Sequence, residues 1–163
     1  MKARISILPL LIAAACATPA FLAAQAAEGP RHALVIGNAE YEHFAPLANP
    51  GNDARDMAEM LRGLGFEVTE LVDAGFAAMD EAVFQFGETL AREGGVGLFY
   101  YAGHGVEVDA VNYLVPVDQR IRAARELRRK AVTVDAILDE MEYARNGTNI
   151  VILDACRDNP LPA

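Results

Sequence analysis

The chain has 163 residues, 53% of them hydrophobic, with 14 basic against 23 acidic side chains and a net charge of -9. That length suits one domain of ordinary size, and the apolar content excludes a disordered or collagen-like chain. The acidic balance leaves no stripe of Lys and Arg to neutralise phosphates, so nucleic acid is excluded as a partner.

Lys2 and Arg4 precede an apolar run from Ile5 to Ala15, and small residues continue to Ala27. A basic start, a short apolar core and the small-x-small site Ala24-Gln25-Ala26 predict a secretory signal peptide over 1–26, cleaved after Ala26. The remainder, 27–163, is then an exported domain, periplasmic or secreted. A retained anchor is the rival reading, but Pro9 and Pro19 interrupt the run, and it is shorter than the roughly 20 residues a span needs. No stable membrane span is therefore expected. Lipid modification of Cys16 is a third reading, since Ala14-Ala15-Cys16 resembles a lipoprotein signal with Ala13 where Leu is usual. Cleavage after Ala26 leaves Cys156 as the single cysteine. One cysteine forms no internal disulfide, so this thiol needs another explanation.

From Arg31 the pattern is orderly. His32 to Ile36 is a branched apolar run ending at Gly37-Asn38 and predicts a buried strand. Asn49, Pro50, Gly51 and Asn52 are turn and cap residues. A helix over Asp53–Leu64 follows, capped by Asn52, with Met57, Leu61 and Leu64 as its apolar stripe. Phe66–Val72 alternates as a second strand, with Phe66, Val68 and Leu71 inward. Ala77–Arg92 is a second helix carrying Val83, Phe86 and Leu90, and Gly94-Gly95 breaks it.

Val96–Ala102 is almost wholly apolar, as expected of a central parallel strand covered on both faces. Val106–Val117 reads as a hairpin or extended pair at the sheet rim. Arg120–Lys130 reads as a solvated loop or short helix. Thr133 caps a third long helix with the stripe Val134, Ile137, Leu138 and Met141; Gly147 closes it, and Asn149–Leu153 is a further strand. This order predicts an α/β layer plan with a mainly parallel sheet. After the first strand no Gly-rich turn enters a helix, so a dinucleotide site is not expected.

In a parallel sheet the carboxyl ends of the strands form the usual reactive edge. Tyr100-Tyr101-Ala102-Gly103-His104-Gly105 ends one strand and Asp154-Ala155-Cys156-Arg157-Asp158 ends another, which predicts His104 and Cys156 on one edge. A cysteine beside an imidazole can become a nucleophilic thiolate. Gly103 and Gly105 allow a tight turn, and the Gly105 amide hydrogen can face a developing oxyanion. The structural alternatives are a small buried Cys and a His that only satisfies backbone groups. A zinc site would need more ligands at short spacings than His32 and His43 supply, so no metal and no cofactor are expected.

These segments together resemble the caspase-like cysteine peptidases, in particular the bacterial metacaspase-like proteins. The resemblance rests on five pieces in order: Arg31–Asn38 with Tyr41, Leu47–Ala54, Leu64-Gly65-Phe66, Tyr101–Gly105 and Asp154–Arg157. It covers about Arg31 to Asp158, the large-subunit half of the family domain. The resemblance implies a three-layer caspase-hemoglobinase fold, truncated after the nucleophile strand. It implies catalytic His104 and Cys156, and an oxyanion hole of Gly105 and the Cys156 amide.

Asp154 stands where Asp-specific caspases carry Gln, so a carboxylate in the pocket favours a protein or peptide substrate with Arg or Lys before the scissile bond. Asp53 either lines the same pocket or merely stabilises a helix start. Arg157 either adds positive charge near the thiolate or pairs with Asp158. The chain stops seven residues after Cys156. It is a fragment, or it is completed by a small-subunit-like segment from another chain, or it is degenerate.

Two functions are expected to compete. One is a cysteine endopeptidase working through a His104/Cys156 dyad and a thioester acyl-enzyme. The other is a non-catalytic caspase-like interaction or scaffold module in the cell envelope, using a last strand left as an apolar edge. A redox role is weaker, because no resolving cysteine is present.

Overall fold

The computed structural model describes residues 29–156; for Cys156 this means its backbone. The reading of 1–26 as a signal peptide, and Arg157 and Asp158, lie outside the described residues. Ten elements follow one another. They are β1 Arg31–Gly37, α1 Pro50–Gly63, β2 Glu67–Val72, α2 Phe76–Glu93, β3 Val96–Val108, β4 Val111–Leu114, α3 Ala124–Lys130, β5 Val132–Thr133, α4 Val134–Ala144 and β6 Thr148–Cys156.

The central sheet is curled and mixed, which corrects the expectation of a mainly parallel one. β1 lies parallel between β2 and β3, and β6 lies parallel on the other side of β3. β4 then pairs antiparallel with the end of β3, and β5 antiparallel with β4. The cause is local. Gly103 and Gly105 do not stop β3, which continues to Val108 and turns back through Asp109 and Ala110, both at positive φ. A tight two-residue connection of that hand joins antiparallel strands.

Strand alternation sorts the core into two faces. Ala33, Val35, Leu98, Tyr100 and Ala102 meet Ala54, Ala58 and Leu61 of α1. Leu34, Ile36, Phe99 and Tyr101 meet Met79, Val83, Phe86 and Leu90 of α2 and Ile137 and Met141 of α4. The helices therefore cover both faces, as in a caspase-like fold. Val68 joins the first face and Leu71 the second. Gly37 is needed where α1 crosses the end of β1, since a Cβ there would lie 2.3 Å from the Pro50 carbonyl oxygen.

The start of α1 differs from expectation. α1 begins at Pro50, with Asn49 at its cap, so Asn52 is already helical and accepts from Arg55 instead. Proline at the first turn explains the early start, because its missing N–H has no partner there anyway. Thr133 does cap α4, its hydroxyl accepting from the Ala136 amide at 3.1 Å. On the stripes, Leu64 and Leu138 are exposed.

β6 pairs only with β3 among the described residues. Ile150 and Ile152 stand opposite Leu98 and Tyr100, so they share the α1 face. That helix covers β1, β2 and β3 and does not extend over β6. Ile150 and Ile152 are consequently 39% and 38% exposed, and Leu153, on the opposite face beside Tyr101, is 40% exposed. Among the described residues no helix is long and apolar enough to cross a membrane.

Candidate functional site

The loops at the carboxyl end of the sheet are organised by one asparagine. Asn38 is fully buried after β1; its amide nitrogen donates to the carbonyls of Ala74 and Val115, and its oxygen accepts from the Ala74 amide at 2.8 Å. Its backbone N–H reaches the Ala102 carbonyl. Asp73 adds a second tie, accepting from the amides of Ala39 and Glu40. Buried polar groups hold a position only when satisfied in this way. The rim around His104 is therefore fixed.

His104 itself is held from several sides. Its backbone N–H donates to the Tyr41 hydroxyl at 2.8 Å, and its carbonyl accepts from the Tyr101 hydroxyl and the Val115 amide. The two phenol oxygens are 3.3 Å apart, and burial pushes both hydroxyls above the ordinary phenol value. Gly103 is required beneath them, because a Cβ would sit 2.6 and 2.7 Å from the Tyr101 and Tyr41 oxygens. The imidazole stacks obliquely on Tyr41, with Phe44 beyond, and its Nε2 donates to the Ala45 carbonyl at 2.8 Å. This aromatic setting was not legible beforehand, although Tyr41 and Tyr101 both stand in the segments that carried the resemblance.

The other expected site residues fall as follows. His104 and Cys156 are opposite one another in the β3–β6 register, and Asp154 is opposite Ala102. Gly105 is not a loop residue: it lies inside β3, opposite Leu114. Asp53 sits in the first turn of α1. Burial first, then the negative charges of Asp154 and Asp53, raise the Tyr100 hydroxyl above the ordinary phenol value.

A second constellation lies at the opposite rim, where β1 and β2 begin and α2 ends. His32 Nδ1 is 3.7 Å from a Glu67 carboxylate oxygen, and Nε2 is 3.1 Å from one of Glu93. One ligand atom from each residue lies within 4.8 Å of the others. The search for short-spaced ligands missed this group, because the three are brought together by strand pairing; the signal was His32 opposite Glu67 in a parallel register.

This constellation corrects the peptidase reading. A His/Cys mechanism needs an imidazole paired with a thiol, whereas the imidazole set among ionisable groups is His32, and its partners are carboxylates. Among the described residues, the His104 ring nitrogen Nε2 has the Ala45 backbone carbonyl as its hydrogen-bond partner. This arrangement argues against the endopeptidase with its thioester step and against the assignment as an enzyme that depends on it.

Helices on both faces of a curled sheet, with the His104 and Cys156 segments side by side, define the class. The chain belongs to the caspase domain family, peptidase C14, which it matches over residues 30–162. It is 37% identical over 126 residues to human mucosa-associated lymphoid tissue lymphoma translocation protein 1, covering 77% of this chain and 15% of that protein. The mouse homolog matches to the same identity, with 14% of its length covered. The chain thus spans about one seventh of these relatives.

Proposed function

We propose that this chain is a non-catalytic caspase-domain interaction module that captures an extended partner segment along β6. The observation that carries this reading is that β6 is an apolar strand with no second neighbour among the described residues, its Ile150, Ile152 and Leu153 all more than a third exposed. A strand edge offers unpaired backbone groups to a visiting strand, and side chains on alternate positions give selectivity. Asp53 and Asp154 both act on Tyr100, so the partner carries a basic side chain to this end of the edge. The pattern of residues 1–26 supports an exported scaffold of the cell envelope.

The test is fluorescence anisotropy with a labelled extended peptide of alternating Val and Thr around one Arg. Wild type and Cys156→Ala bind it equally on this reading. Asp53→Asn with Asp154→Asn, or Ile150→Asp with Ile152→Asp, weakens binding at least about tenfold. Binding that requires Cys156, or that ignores both double variants, overturns it.

A further inference from the structure

We propose that His32, Glu67 and Glu93 form a binding site for a single divalent first-row transition-metal ion. The His32 side chain is only 5% exposed, yet its Nε2 is buried without a hydrogen-bond partner. A buried polar atom left in that state is costly and needs a reason. The nearest acid oxygen, on Glu93, is 3.1 Å away without forming an aligned hydrogen bond. Two neighbouring donors bound to one ion at roughly 2.0–2.2 Å are about 3 Å apart, so this spacing is that of a coordination edge.

The surroundings suit a cation. Arg92 engages Oε1 of Glu93 at 2.9 Å, which leaves Oε2 directed to His32. Glu67 is 83% exposed and free to swing from the Nδ1 side into the third position. A surface cleft of about 100 Å³, lined in part by His32, Glu67, Thr69, Gln85 and Thr89, opens beside the imidazole and gives room for water ligands. One imidazole and two carboxylates suit Zn²⁺ or Mn²⁺ better than soft ions. The site is at the opposite rim from the edge proposed for partner capture, so neither proposal depends on the other.

Calorimetric titration of the untagged full chain with Zn²⁺ tests this, in a Cys16→Ser, Cys156→Ser background that removes competing thiols. One ion binds per chain, and Glu93→Gln and Glu67→Gln each weaken it by about 10- to 100-fold. Zn²⁺ raises Tm in the parent and not in the Glu67→Gln/Glu93→Gln double variant, because only a ligand of the native state stabilises it. These exposed carboxylates carry the test, since His32→Gln also alters the core; circular dichroism checks that the variants are folded. Absence of uptake, or equal affinity in parent and double variant, overturns the site.

Discussion

The Tyr41 hydroxyl accepts the backbone N–H of His104 at 2.8 Å, joining the loop after β1 to the middle of β3 across 63 residues of sequence. Removing that oxygen strands a partly buried amide donor. Tyr41→Phe is therefore expected to lower stability by about 1–3 kcal/mol, measured by urea unfolding. An unchanged midpoint contradicts the anchoring role.

Gly103 lies beneath the same pair of phenols, and an added methyl would meet both oxygens well inside contact distance. Buried tyrosine rings do not swing aside easily. Gly103→Ala is expected to cost about 1–3 kcal/mol by overpacking. The double variant with Tyr41→Phe is expected to be less than additive, since the second change removes one clashing atom. Strict additivity contradicts this packing.

Burial raises the hydroxyls of Tyr41 and Tyr101 above the ordinary phenol value. The unfolded chain releases these protons first as the solution becomes alkaline. Their contribution to stability is therefore full below about pH 10 and is lost as pH rises beyond it. Thermal unfolding followed from pH 8 to 11 checks this: Tm falls above about pH 10, less steeply in Tyr41→Phe/Tyr101→Phe. A parallel fall in both proteins contradicts it.

Much of the fold was legible because apolar periodicity and Gly or Pro punctuation coincide. β1, β2, α2 and α4 lie within a few residues of their predicted spans, and Met79, Val83, Phe86 and Leu90 form a helical stripe that is buried. The glycines were read too simply. Gly103 and Gly105 read in the sequence as the end of a strand, yet β3 passes through both, because Gly103 is there for the phenols above it. That extension makes the sheet mixed. His104 and Cys156 were correctly brought to neighbouring strands. The partners of the His104 ring and the His32 cluster were hidden, because they depend on contacts between distant segments.

The edge at β6 carries a prediction of its own. Ile152 is 38% exposed on the α1 face of the sheet, beyond the strands that α1 covers. Ile152→Lys is expected to change stability by no more than about 0.5 kcal/mol. It is also expected to reduce concentration-dependent self-association in sedimentation velocity, as charge on an edge strand does. Unchanged self-association contradicts an adhesive edge.

The central claim is that the domain binds without cutting. The most direct measurement incubates the purified full chain, and its Cys156→Ala variant, with fluorogenic peptides ending in Arg, Lys or Asp. The account predicts no turnover above the variant with any of the three. Release of fluorophore by the wild type that disappears in Cys156→Ala would contradict it.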